Sequence, residues 1–279
     1  MLRGVELAAS SGKGAILPPA ARSSAKRHGE ASRSDGDAKE IRLVTHIYLI
    51  RHGEAVSNVE PIMGGMRGDT GLTPLGVAQA ERLRERLMAT GEIGAEALIA
   101  STLPRARQTA EIIAPALSLP ILWDDEVQEL RVGEADGLSV AEFRERYGAP
   151  KYEFDPFRPI APGGESWAGF LVRVGEALER ITAEHEGQRI AIVCHGGIID
   201  ASFQIFGEVN LLAPKRFDFD TRNTSITHWR RHQRSGFPRR WQLERYNDAA
   251  HLDVEMWPAR RVERPEDETH PSVPLPSEE

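Results

Sequence analysis

Short, nearly continuous runs of β-branched and apolar residues alternate along the chain with longer stretches in which apolar positions recur every three or four residues. The first pattern predicts strands buried on both faces and the second amphipathic helices. Leu43 to Ile50 (LVTHIYLI) reads as a buried strand ending at Arg51. Thr73 and Pro74 form an N-cap and first-turn pair. Ala80, Leu83 and Leu87 then recur on one side of a helix that runs up to Gly91. A strand near Ala97 to Ala100 precedes a helix from Pro104 to Ala114, and Pro120 opens a strand over Ile121 to Trp123. Ser139 and Glu142 have the spacing of a capping box, starting a helix that stops before Gly148. Trp167, Phe170, Leu171, Val174, Leu178 and Ile181 mark a longer helix closed by Gly187, and this stripe is core. Arg189 to Cys194 is again a buried-type strand, followed by a His195-Gly196-Gly197 turn and a helix from Ile198 to Phe206. Ser225 to Arg230 and Trp241 to Tyr246 read as two strands near a sheet edge. The alternation predicts an α/β fold of three layers: a mostly parallel sheet with helices on both faces.

The ends of the chain lack such periodicity. Residues 1–41 read as a disordered arm, because they have too little apolar surface to offset the entropy of ordering them. Up to His28 this arm carries Arg3, Lys13, Arg22, Lys26 and Arg27 against Glu6 alone, the composition of an organelle transit peptide. No amphipathic stripe accompanies the charge, so the arm is taken as a tail without an address. Residues 255–279 combine five prolines and seven acidic residues with three arginines and read as a flexible tail. The folded domain is expected over 42–254.

Composition narrows the function classes. The 279 residues are 40% apolar and 28% charged, with a formal charge of -7. That balance argues against a nucleic-acid partner held by bulk electrostatics, so an anionic substrate would need a local cluster of cations. No apolar run reaches the roughly 20 residues needed to span a membrane, and no secretory h-region is present. One cysteine, Cys194, excludes an internal disulfide and every multi-cysteine zinc site. A reducing, cytoplasmic setting is therefore expected. His46, His185, His228 and His251 match no metal spacing, and no cofactor is called for.

Ligands of open α/β sheets bind beyond the carboxyl ends of the strands, and here two strands end in histidine. One continues as Arg51-His52-Gly53-Glu54 and the other as Cys194-His195-Gly196-Gly197. Glycines at both places permit sharp turns and expose backbone N–H groups to an anion. Neighbouring strands would bring both histidines to one pocket. Arg27-His28-Gly29-Glu30 in the arm repeats the tetrapeptide without a strand before it, so context and not the motif carries the signal. Cys194 and His195 point to opposite faces of a strand, which makes Cys194 a core thiol and not a nucleophile. Arg107, two residues past Arg105 on a helix, is expected in a surface ion pair.

Arg51-His52-Gly53-Glu54 with Asn58, Leu72-Thr73-Pro74-Leu75-Gly76, Ser101-Thr102-Leu103-Pro104-Arg105-Ala106 with Gln108-Thr109-Ala110, and Cys194-His195-Gly196-Gly197 together resemble the histidine phosphatase superfamily, phosphoglycerate mutase-like branch. The resemblance covers residues 44–252. It implies that His52 is the nucleophile that takes a phosphoryl group as phosphohistidine, and that Arg51, Asn58, Arg105 and His195 bind the phosphate oxygens. A neutral imidazole can attack when its other ring nitrogen is held by a hydrogen bond. Guanidinium forks match phosphate geometry. An alkoxide leaving group needs a proton donor. Glu129 is assigned that role within Gln128-Glu129-Leu130-Arg131-Val132-Gly133-Glu134-Ala135-Asp136-Gly137, which resembles the family's acid and glycine stretch, with Ala135 in place of the usual aromatic and Asp136 in place of the usual glutamate. Glu126 and Glu134 are the rival carboxylates. Pro162-Gly163-Gly164-Glu165-Ser166 is either a turn with a helix cap or a loop bordering the pocket.

Glu129 and His195 lie 66 positions apart, short beside the long basic substrate loop of glycolytic mutases. A metal-independent phosphomonoesterase for a small phosphorylated metabolite is therefore expected, with Lys151, Arg158, Arg144 and Arg146 as candidate contacts to a second anionic group. The alternatives are a phosphoglycerate mutase and a non-catalytic phosphate-binding module. A homodimer is compatible with this reading.

Overall fold

The computed structural model describes residues 44–148, 155–208, 219–232 and 238–257. The arm at 1–41, its copy of the tetrapeptide and Lys151 lie outside the described residues. Six strands form one sheet: β1 (Thr45–Arg51), β2 (Ala97–Ser101), β3 (Ile121–Asp124), β4 (Arg189–Cys194), β5 (Ile226–His232) and β6 (Arg240–Asp248). Their order is β3-β2-β4-β1-β5-β6. β5 pairs antiparallel with both β1 and β6, and every other pairing is parallel, so only β5 runs against the rest.

The helices are α1 (Val56–Val59), α2 (Pro74–Thr90), α3 (Pro104–Leu117), α4 (Val140–Tyr147), α5 (Trp167–Glu184) and α6 (Gly196–Phe206). Alternate residues of each central strand point to opposite sides. Ile47, Leu49, Ile99, Ile190, Ile192 and Cys194 pack against α5 and α6 through Phe170, Val174, Leu178, Ile181 and Ile198. Tyr48, Ile50, Leu98, Ala100, Ala191 and Val193 pack against α2 and α3 through Leu83, Leu87, Ala106, Ala110 and Ile113. This is the three-layer, mostly parallel α/β architecture expected from the sequence. Cys194 is fully buried among apolar side chains, and burial pushes its thiol well above the ordinary value.

Local signals act as their chemistry requires. The Thr73 hydroxyl accepts from Gly76 N at 3.0 Å and caps α2. The Ser139 hydroxyl accepts from Glu142 N at 3.1 Å while the Glu142 carboxylate accepts from Ser139 N at 2.9 Å. Three of the differences from the expected boundaries have a physical cause in the surrounding residues. α3 continues through Pro115 to Leu117, closed by Ser118 N donating to Ala114 O at 3.0 Å, because its buried face gains more from packing than the missing Pro115 N–H removes. α6 begins at Gly196, so the two glycines after His195 form its first turn and not a separate loop. Residues 255–257 do not belong to a loose tail: a 3-10 turn spans Val254–Met256, Gln79 donates to Met256 O at 2.8 Å, and Arg222 stacks on Trp257 at 3.9 Å.

Gly76 is where α2 presses on the loop after β1. A Cβ there would lie 1.9 Å from the carbonyl oxygen of Glu54, a backbone atom that cannot swing aside. The substitution Gly76→Ala is expected to destabilise the fold by about 1–3 kcal/mol, read as a lower urea midpoint.

Two half-buried histidines make stability depend on pH. The His46 and His228 rings stack with Nδ1 and Nε2 2.9 Å apart, and burial, then the His46 charge, hold His228 down to about 4. His251 meets the Thr224 hydroxyl at 2.9 Å, and burial, then Arg86, hold it to about 4. An unfolded histidine takes up its proton near pH 6.5, so below that pH the unfolded chain binds protons that the native one refuses. Stability is fully present above pH 6.5 and declines as pH falls toward 4. The urea midpoint is expected to drop between pH 7 and pH 5, and a flat midpoint would contradict the burial of these rings.

Candidate active site

β1 and β4 are neighbours in parallel register, with Arg51 opposite Cys194. The next step of the ladder is His52 N donating to Cys194 O at 3.0 Å, so the residues after the two strands emerge side by side. The His52 and His195 rings consequently lie 5.2 Å apart between centroids, both buried.

The orientation of His52 is set from both ends of the ring. Its Nδ1 meets the carbonyl of Gly53 at 2.7 Å, and its Nε2 faces Arg105 Nε at 3.1 Å. A carbonyl can only accept and a guanidinium N–H can only donate, so Nδ1 carries the proton and Nε2 presents its lone pair. Burial first, then the charges of Arg105 and Arg51, hold His52 well below the usual imidazole value and keep it neutral. The backbone around it is clamped as well: Asn223 Nδ2 donates to His52 O at 3.0 Å, Thr224 N donates to Arg51 O at 3.0 Å, and Gly53 N donates to the Thr109 hydroxyl at 3.0 Å. Gly53 N–H is therefore occupied and is not open to an anion, contrary to the expectation that the glycines leave their amides exposed.

Arg105, at the start of α3, is buried and held by a carboxylate absent from the sequence reading. Asp69 accepts from Arg105 Nη1 at 2.8 Å and from Arg105 N at 3.2 Å, and its other oxygen accepts from Gly71 N at 2.9 Å. The carbonyl of Gly64 receives a further bond from Nη1 at 3.1 Å. Arg51 leaves β1 toward the first turn of α6, and its Nη1 donates to the carbonyl of Thr221. Asn58 lies in α1, where its Oδ1 accepts from Ala55 N at 3.0 Å, so a contact to an anion falls to its Nδ2. His195 Nε2 meets the Ser101 hydroxyl at 2.7 Å.

Glu129 reaches this group from the segment after β3. Its Oε2 accepts from Gly197 N at 3.0 Å, so a carboxylate distant in sequence caps the N-terminal end of α6, and the Gly197 amide too is occupied. The main chain that carries Glu129 is held by Arg173, buried on α5. Its guanidinium donates to the carbonyls of Glu126, Gln128 and Glu129 at 2.7, 3.1 and 3.2 Å and pairs with Glu165 at 2.6 Å. The Pro162–Ser166 loop thus acts through Glu165, and Ser166 caps α5 by accepting from Gly169 N at 3.1 Å. Of the rivals, Glu126 pairs with Arg131 at 2.9 Å and Glu134 is exposed. Asp136 is a staple: its carboxylate accepts from Gly65, Arg67 and Gly68 N at 3.0, 2.9 and 2.8 Å, while Ala135 fits a small core with Val132 and Phe143. The two departures from the family stretch therefore hold the 65–68 loop and a small core, while Glu129 keeps its bond to Gly197.

Arg144, Arg146 and Arg158 are exposed on or beside α4, with Arg146 3.9 Å from Glu142, and none is among the residues that meet the histidines. Arg107 pairs with Glu111 at 4.0 Å and stacks on Trp123, outside the site as expected. Asp69, Ser101, Arg173 and Asn223 escaped the sequence reading as site residues. Arg173 did carry a signal, a charge inside the apolar stripe of α5; Asn223 carried none.

Residues 47–249 match the profile of the histidine phosphatase superfamily (branch 1). Over 228 residues the chain is 30% identical to phosphoglycerate mutase-like protein 4 of Arabidopsis thaliana, covering 80% of this chain and 93% of that protein. It is also 30% identical over 221 residues to the metal-independent phosphoserine phosphatase of the same plant, covering 77% and 87%. Among solved structures, Bacillus stearothermophilus YhfR superposes with a TM-score of 0.59 at 30% identity, covering 75% of this chain and 100% of that one. The paired strand-end histidines, the buried arginine and this extent of similarity lead to one conclusion: the chain belongs to the histidine phosphatase superfamily, branch 1.

Proposed function

We propose that the protein is a metal-independent phosphomonoesterase acting on a small phosphorylated metabolite through a phosphohistidine on His52. The observation that carries this reading is the ring of His52: protonated at Nδ1 toward Gly53 O, neutral, and presenting Nε2 beside His195 and Arg105. A phosphoryl group enters between Nε2 and the Arg105 guanidinium. Asp69 keeps that guanidinium in place as its Nε turns from the ring to a phosphoryl oxygen. Arg51, Asn58 Nδ2 and His195 receive the remaining oxygens.

His52 Nε2 then attacks phosphorus in line, the ester P–O bond breaks, and the departing oxygen takes a proton from the Glu129 carboxyl. Water follows the product alcohol. Glu129 takes a proton from that water, its oxygen bonds to phosphorus, and the P–N bond breaks to release inorganic phosphate and neutral His52. The relative named for metal-independent phosphoserine hydrolysis supports this outcome. The relative named as mutase-like keeps a second reading open, in which the hydroxyl of a sugar acid and not water collects the phosphoryl group.

Phosphate release from a panel of phosphomonoesters in excess chelator tests the proposal. The intact protein is expected to turn over at least one ester, while His52→Ala loses at least 10³-fold. Equal activity in both would remove His52 as nucleophile, and turnover only with a bisphosphoglycerate primer would favour the mutase.

Gly197 tests the acid. A Cβ there would lie 2.1 Å from Glu129 Oε1 and would force the carboxylate away. Gly197→Ala is expected to slow alkyl phosphates by roughly 10²-fold, within the usual worth of a proton donor. Aryl phosphates, whose leaving groups need less protonation, should lose far less. Equal losses on both ester types would take the proton donor away from Glu129.

A further inference from the structure

Ser101 ends β2 and is completely buried, one strand away from His195. Its hydroxyl oxygen receives Leu103 N at 3.3 Å and lies 2.7 Å from His195 Nε2. His195 Nδ1 is buried and has no hydrogen-bond partner among the described residues. Two proton arrangements satisfy these distances. If Nε2 carried the proton and donated to Ser101, the serine O–H would need another acceptor, and Nδ1 would turn a bare lone pair toward an incoming phosphate. If Ser101 donates to Nε2, its oxygen accepts from Leu103, its proton is used, and Nδ1–H becomes the donor left for the ligand.

We infer that Ser101 is a positioning residue that fixes His195 as the Nδ1–H tautomer, so that the second histidine serves phosphate as a neutral hydrogen-bond donor and not as a cation. The surroundings agree: burial, then the charges of Arg105, His52, Arg51 and Arg173, hold His195 well below the ordinary imidazole value. The positive charge facing the phosphoryl group then comes from the arginines. Both histidines share one tautomer, protonated at Nδ1, with opposite use. His52 meets phosphorus with the bare nitrogen, and His195 meets oxygen with the protonated one. The inference rests on reading this pocket as the phosphate site.

The test is a long-range ¹H–¹⁵N correlation spectrum of full-length protein carrying ¹⁵N-histidine, with and without inorganic phosphate, on wild type, Ser101→Ala and Ser101→Thr. His195 in the wild type is expected as Nδ1–H, with Nδ1 shifting when phosphate binds. Ser101→Ala should populate the Nε2–H form, weaken phosphate binding about 10- to 100-fold and lower turnover of an aryl phosphate by a similar factor, as loss of one hydrogen bond to a charged group would. Ser101→Thr, which keeps the hydroxyl, should restore both. An Nε2–H or doubly protonated His195 in the wild type overturns the inference even if Ser101→Ala fails to fold, as does a Ser101→Ala protein with unchanged tautomer and affinity. A wild type that shows Nδ1–H and binds phosphate but hydrolyses no ester upholds the tautomer and refutes the phosphatase reading instead.

Discussion

The parallel pairing of β1 with β4 is the constraint from which the site follows. A ladder that sets Arg51 opposite Cys194 and closes with His52 N on Cys194 O can release the two strands only at the same height. Histidines separated by most of the domain in sequence therefore end with ring centroids 5.2 Å apart. A slip of one residue would turn His52 or His195 to the other face of the sheet, because side chains alternate along a strand. The hydrophobic clusters on the two faces hold that register: moving Ile47, Leu49, Ile190 and Ile192 off the α5 and α6 side would expose both cores at once.

Around this pair the protein buries charges that it cannot leave uncompensated. Arg105 with Asp69, and Arg173 with Glu165, are ion pairs in which the arginine has little access to water. Such pairs gain little net stability, since desolvation offsets much of their attraction. Their value is geometric. Asp69 fixes Arg105 beside His52, and Arg173 ties three carbonyls of the one stretch of main chain from which Glu129 reaches α6. Burial, and after it the same concentration of positive charge, holds His52 and His195 well below the ordinary imidazole value.

The layered α/β plan was legible in the sequence because each buried strand is apolar on both faces and each helix has its own stripe and cap. Boundaries were less legible where tertiary packing overrode a local breaker, as at Pro115, or where a distant carboxylate completed a helix end, as Glu129 does for Gly196 and Gly197. Among the site residues, His52, His195, Arg51 and Arg105 could be read from strand ends and from the order of the motifs. The supports could not: Asp69 lies in a glycine-rich loop that resembles any turn, and Asn223 acts only because the chain returns beside β1.

By itself, the sequence determined the periodicities, caps and strand-terminal histidines, since these depend on residues within a few positions of one another. It thereby determined the fold class and the family. The tertiary structure alone decided that His52 and His195 come together, that Glu129 meets the first turn of α6 and that Asp69 holds Arg105. Those outcomes depend on partners far apart in the chain and on the exclusion of water between them, and no local pattern encodes either.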